Sequence, residues 1–99
     1  MSRKPSTHRK DGNHDDVVDA LEAKGYSVRS LTSVGDGFPD LIVGTQSLNI
    51  LLEVKMPKKK LRVKQEGFRA GWKGQCATVT SAEDAVKMVK LIISANWEQ

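Results

Sequence analysis

Pro39-Asp40-Leu41-Ile42-Val43-Gly44, then Thr45 to Leu48, then Asn49-Ile50-Leu51-Leu52-Glu53-Val54-Lys55 is the stretch that decides the fold of this 99-residue chain. Two apolar runs of strand length flank a four-residue connection, the pattern of a β-hairpin. Proline is tolerated at the first residue of a strand, so Pro39 opens the first run, and Pro57 ends the second. With Gly44 opposite Asn49 across the turn, Asp40 falls directly opposite Glu53. Side chains alternate along a strand, so Leu41, Val43, Leu52 and Val54 share a face that can bury. Asp40, Glu53 and Lys55 share the other, with the two carboxylate-bearing Cβ atoms about 4.5–5.5 Å apart.

Outward from the hairpin, Asn13-His14-Asp15-Asp16 reads as a helix start, Asn13 capping and Asp16 returning the bond in capping-box fashion. Val17, Val18 and Leu21 form its apolar stripe, and Gly25 ends it. Tyr26 to Leu31 alternates as a half-buried strand, and Ser33-Val34-Gly35-Asp36-Gly37 is a loop. Downstream, Leu61, Gln65, Phe68 and Trp72 recur at helical spacing, which predicts a helix from Leu61 to Lys73 with Phe68 and Trp72 as core residues in preference to base-stacking ones. Gly67 and Gly71 would weaken that helix unless a tight contact within or between chains needs them. Gln75 to Thr80 is a fourth strand carrying Cys76 as a buried small hydrophobe. Ser81 caps a last helix whose Ala85, Met88, Val89 and Ile92 face the core, with Trp97 beyond it to cover that helix or an interface. The order is α-β-β-β-α-β-α around one small mixed sheet, an α/β class.

The length suits one domain, residues 13–99, behind a basic arm over residues 1–12. Sixteen Lys and Arg against twelve Asp and Glu give a net charge of +4, which favours a polyanionic partner. The arm holds Arg3, Lys4, Arg9 and Lys10 and is expected to be disordered. A second basic block runs through Lys55, Lys58, Lys59, Lys60, Arg62 and Lys64 with no acid among them. A single cysteine excludes a disulfide framework within one chain and points to a reducing, cytoplasmic compartment. No apolar run is long enough to span a membrane, and no small-molecule cofactor is expected.

Two facing carboxylates repel unless a cation lies between them. Mg²⁺ or Mn²⁺ prefers hard oxygen donors and suits such a pair. A bound divalent ion lowers the pKa of its water and polarises a phosphoryl group, so Asp40, Glu53 and a lysine on one face suffice for phosphodiester hydrolysis. The competing reading is a cross-strand salt-bridge network on a solvated face. It accounts neither for the Gly35, Gly37 and Pro39 loop that delivers Asp40 nor for the cations that begin at Lys55.

Pro39-Asp40, twelve intervening residues, then Glu53-Val54-Lys55 resembles the PD-(D/E)XK nuclease signature. Val34-Gly35-Asp36-Gly37-Phe38-Pro39-Asp40-Leu41, Leu51-Leu52-Glu53-Val54-Lys55 and Trp72-Lys73-Gly74-Gln75 resemble the VRR-NUC branch, in particular its small standalone members of phage type. The resemblance spans Asn13 to Ala85 and implies a restriction-endonuclease-like core and a Mg²⁺- or Mn²⁺-dependent DNA endonuclease, active in a phage-infected or bacterial cell. It implies that Asp40, Glu53 and the Val54 carbonyl bind metal, that Lys55 acts on the nucleophile, and that Gln65 supports the site or touches substrate. Gln65 read alone is equally a polar residue bonding locally. Where the family places an acid in the first helix, this chain has His14, with Asp15 and Asp16 beside it, so a histidine ligand and a packed or capping histidine both stay open. Lys58, Lys59, Lys60, Arg62 and Lys64 are expected to track a DNA backbone without reading sequence. Branched substrates such as a four-way junction would need a homodimer for symmetric cleavage. The rival is a non-catalytic nucleic-acid-binding protein that keeps the fold.

Overall fold

The computed structural model describes residues 13–56 and 60–96. The arm over residues 1–12, Lys58, Lys59 and Trp97 lie outside the described residues. The elements are α1 (His14–Ala23), β1 (Ser27–Ser30), β2 (Leu41–Gly44), β3 (Asn49–Val54), α2 (Val63–Gly71), β4 (Cys76–Val79) and α3 (Ala82–Ala95), in the expected α-β-β-β-α-β-α order. They form one four-stranded mixed sheet, β1-β2-β3-β4, with the first two pairings antiparallel and the last parallel.

The hairpin has the register that the alternation requires, Gly44 opposite Asn49, Val43 opposite Ile50 and Leu41 opposite Leu52. Thr45 locks the turn. Its backbone N–H donates to the Leu48 carbonyl at 2.8 Å, and its hydroxyl oxygen accepts the Leu48 N–H, also at 2.8 Å. Because paired residues share a face, Val28, Leu41, Val43, Ile50, Leu52, Val54, Ala77 and Val79 line one side of the sheet. Val17 and Leu21 of α1 and Ala85 and Val89 of α3 close over them, and these twelve residues are the buried apolar cluster. The other side carries Asp40, Ile42, Leu51, Glu53, Lys55, Cys76 and Thr78, and α2 lies over it. The central strand β3 is buried on both faces from Ile50 to Val54, which the parallel β4 and the helical layer beyond it require.

Of the two caps expected from the sequence, one forms and one does not. Ser81 has the extended backbone of a cap (φ −159°, ψ 167°), and its hydroxyl accepts the Asp84 N–H at 3.0 Å. Asn13 corrects the expected capping box: its backbone (φ −104°, ψ 9°) turns the side chain away, and no side-chain cap bond forms. Its Nδ2 donates instead to the Thr80 carbonyl, tying the start of α1 to the end of β4.

The α2 helix departs most from expectation. It is shorter than Leu61 to Lys73, because Trp72 leaves helical backbone (φ −79°, ψ 128°), and none of its residues is buried. Phe68 and Trp72 are therefore not core: Phe68 is half-buried and Trp72 is 44% exposed. Helical spacing of aromatics marks a shared stripe, and here that stripe meets Phe38 at the rim of the sheet. A Cβ at Gly67 or Gly71 would meet nothing within 4 Å, so among the described residues no close contact requires either glycine. Cys76 is half-buried, not buried.

Candidate active site

The site is assembled by a left-handed loop, the central strand and the first turn of α2. Gly35, Asp36 and Gly37 have successive φ values of 75°, 60° and 78°, a run that L side chains adopt at a cost of about 1–2 kcal/mol per residue. At Gly37 a second requirement is added, because a Cβ there would stand 2.4 Å from the Lys64 carbonyl oxygen. The loop thereby presses on the start of α2, and Pro39 beyond it is fully buried. Asp40 is then held at two points: its carbonyl accepts the Leu31 N–H at 2.7 Å, and its Oδ2 accepts the Val54 N–H at 2.9 Å.

Glu53 and Lys55 are only 3% and 7% exposed. Buried ionisable groups are costly unless partnered, which separates this face from a solvated salt-bridge ladder. Gln65 supplies one partner, its Nε2 donating to Glu53 Oε2 at 2.6 Å. Its Oε1 accepts the Arg62 N–H at 2.9 Å, so Gln65 combines the local bond and the site contact that its sequence position left as alternatives. Lys55 is anchored by its backbone N–H to the Val79 carbonyl at 2.9 Å. Its burial removes it from the surface basic block, which among the described residues consists of the exposed Lys60, Arg62 and Lys64. Lys64 also meets Asp36 at 3.4 Å in the open, a pair of little energetic weight.

A cleft of about 450 Å³ opens between the glycine loop and the start of α2, with Asp40 and Gln65 in its wall and Arg62 and Lys64 at its rim. Arg69 had not been singled out from the sequence. Its guanidinium donates to the Thr78 hydroxyl, beside Glu53 in the parallel ladder, and its position four residues after Gln65 was the available signal. Burial pushes the Cys76 thiol up, while the Arg69 charge lowers it and the Glu53 charge raises it further, which makes it a poor nucleophile at neutral pH.

His14 is 4% exposed and starts α1 at the Thr80 end of the sheet. Neither ring nitrogen has a hydrogen-bond partner among the described residues, and Nδ1 lies 3.7 Å from the Asp15 carboxylate. Asp15 and Asp16 occupy the first turn of α1, where negative charge complements the helix dipole. Among the described residues, no three His, Cys, Asp or Glu side chains form a group that could hold a metal ion. What Asp40 and Glu53 provide, with the Val54 carbonyl between Glu53 and Lys55 in the chain, is an all-oxygen set with two carboxylates. That set fits Mg²⁺ or Mn²⁺, since Mg²⁺ keeps most of its waters and takes one or two carboxylates plus substrate phosphates.

The chain matches no family model and no curated protein. No helix among the described residues is long and apolar enough to cross a membrane.

Proposed function

We propose that the chain is a Mg²⁺- or Mn²⁺-dependent DNA endonuclease with a restriction-endonuclease-like core, of the VRR-NUC kind its sequence resembles, working in a reducing cytoplasm on branched or duplex DNA. One observation carries the reading. On the sheet face turned away from the core, Glu53 and Lys55 are buried, Asp40 is fastened to the Val54 amide, and Gln65 holds Glu53. A fold gains nothing in stability from burying an acid and an amine where apolar residues would pack, so their retention calls for chemistry.

Asp40, Glu53 and the Val54 carbonyl would hold the ion. When bound, the ion supplies an acidified water and charge compensation on the phosphoryl oxygens. The rest falls to the chain. The Val54 N–H occupies one oxygen of Asp40, so the carboxylate is turned rather than free to rotate. Gln65 does the same for Glu53 and transmits the position of α2 to it. Lys55, on the same face, orients the attacking water and offsets negative charge as the phosphorus becomes pentavalent. Lys60, Arg62 and Lys64 contact backbone phosphates, the role that the sequence also gives Lys58 and Lys59. One site cleaves one strand, so paired cuts in a junction need a C₂ homodimer.

The test is a panel of single-stranded, duplex, flap and four-way DNA incubated with Mg²⁺, Mn²⁺, Ca²⁺ or EDTA, beside a mass measurement of the oligomer. Cleavage that requires Mg²⁺ or Mn²⁺ and stops with EDTA is expected. Tight, salt-sensitive binding with no cleavage of any substrate would favour a binding protein on the same fold.

A further inference from the structure

The aromatic cluster that the core does not use lies beside the proposed site. Phe68 and Trp72 stack, with centroids 4.8 Å apart and planes at 17°. Phe38 meets Phe68 edge-on at 4.8 Å and Trp72 at 6.1 Å. None of the three belongs to the apolar cluster on the other side of the sheet, and Trp72 leaves 44% of its surface to water. The two pieces of chain that build the cluster are the ones that build the site: Phe38 precedes Pro39-Asp40, and Phe68 follows Gln65 by one helical turn. At about 1.5 Å per residue, Trp72 lies roughly 10 Å along α2 from Gln65. Lys73, next in the chain, is exposed, and the exposed Lys60, Arg62 and Lys64 lie at the other end of α2. A part-exposed indole with a lysine next to it in the chain is complementary to a nucleobase with its flanking phosphate, and stacking tolerates any base because each has a π face.

We infer that Trp72, backed by Phe68 and Phe38, is a stacking platform for one unpaired nucleobase next to the phosphodiester to be cut. Bases inside a duplex already stack on their neighbours and cannot present a face without unpairing. The platform therefore directs the protein to single strands, flaps and the open centres of junctions. This deepens the nuclease reading and rests on it for the word "cut", while the base-binding site itself is tested apart from cleavage.

The probes are a single-stranded thymidine oligonucleotide and an abasic strand with the same number of phosphates, bound in Ca²⁺ and in EDTA and followed by anisotropy. Trp72→Ala is expected to weaken binding of the thymidine strand about 5- to 150-fold, the effect of removing one base–aromatic stack. Trp72→Phe should restore most of it, Trp72→Leu should not, and the abasic strand should bind the native protein and all three variants alike. A 2-aminopurine in the thymidine strand should be quenched by the native protein and not by Trp72→Ala. Far-ultraviolet circular dichroism checks that each variant is folded. Equal affinity of native and Trp72→Ala protein for the thymidine strand would overturn the inference, as would an equal loss on the abasic strand or full rescue by leucine. Dimer dissociation in Trp72→Ala with base binding intact would assign the surface to a second copy of the chain and also overturn it. Base-dependent binding without metal-dependent cleavage would leave the platform standing and remove the nuclease. Metal-dependent cleavage together with unchanged binding of the thymidine strand by Trp72→Ala would do the reverse.

Discussion

Replacing Gln65 with alanine removes two hydrogen bonds of unequal worth. The one from the Arg62 N–H, at 2.9 Å, lies in an exposed turn, where water takes the place of the lost oxygen and the net cost is below about 1 kcal/mol. The one to Glu53 spans 2.6 Å and ends on a carboxylate that is 3% exposed. A hydrogen bond to a charged group contributes about 1.5–3 kcal/mol, and a buried acceptor that loses its donor keeps its desolvation penalty. Gln65→Ala should therefore destabilise the metal-free protein by about 2–3 kcal/mol. At roughly 4–8 °C per kcal/mol for a domain of this size, the midpoint should fall by roughly 10–20 °C. Urea unfolding of Gln65→Ala, Glu53→Ala and the double variant closes a double-mutant cycle, and the coupling energy should be about 1.5–3 kcal/mol. A coupling below about 0.5 kcal/mol would show that Gln65 merely satisfies the turn and that Glu53 is positioned by something else.

Asp40→Asn keeps an oxygen to accept the Val54 N–H, so it should stay within about 1 kcal/mol of native stability while metal-dependent cleavage is lost. Lys55→Ala should lower turnover roughly 10²- to 10⁴-fold with DNA binding retained; turnover at the native rate would make the lysine a bystander. Gly37→Ala combines a left-handed φ with a clash against Lys64 and should cost about 3 kcal/mol. Gly35→Ala, with open space around it, should cost about 1 kcal/mol, and equal costs in thermal unfolding would refute the close approach. Burial raises the Cys76 pKa in the fold, so above pH about 8.5 the unfolded chain releases this proton first. Stability is then lost as pH rises, and Cys76→Ala should flatten that alkaline decline; an unchanged slope would count against it. If four or five cations contact phosphates, log K should fall with log salt at a slope of about −4, and removing Lys60, Arg62 and Lys64 should reduce the slope by roughly 3.

The register was legible because alternation requires a pairing that keeps Leu41, Val43, Leu52 and Val54 on one face, and the short Thr45–Leu48 connection selects the one that sets Gly44 opposite Asn49, with Asp40 and Glu53 on the other face. The loop was legible in kind, since Gly35 and Gly37 announce left-handed backbone, but not in purpose. The press of Gly37 against the Lys64 backbone is a contact between segments far apart in sequence, and no local pattern encodes it. The same limit hid the Arg69–Thr78 bond, which depends on where α2 crosses the sheet. Phe68 and Trp72 were misread because an aromatic stripe reports which residues point the same way, not whether a core lies in that direction. Asn13 failed as a cap for a related reason: its type suits the role, but a carbonyl at the end of β4 competes for the side chain, and tertiary contact prevailed over local preference.

On β3, core and site residues alternate: Leu52 and Val54 join the core under α1 and α3, Glu53 meets Gln65 of α2, and Lys55 follows one residue beyond the strand. Insertion or deletion of one residue within this strand would turn an acid and an amine inward and two aliphatic side chains outward. Scaffold and site would be lost in a single step. This segment should therefore accept substitutions that keep the character of each position and reject any change in length. Length variation in descendants of this chain would be confined to the connections on either side of it.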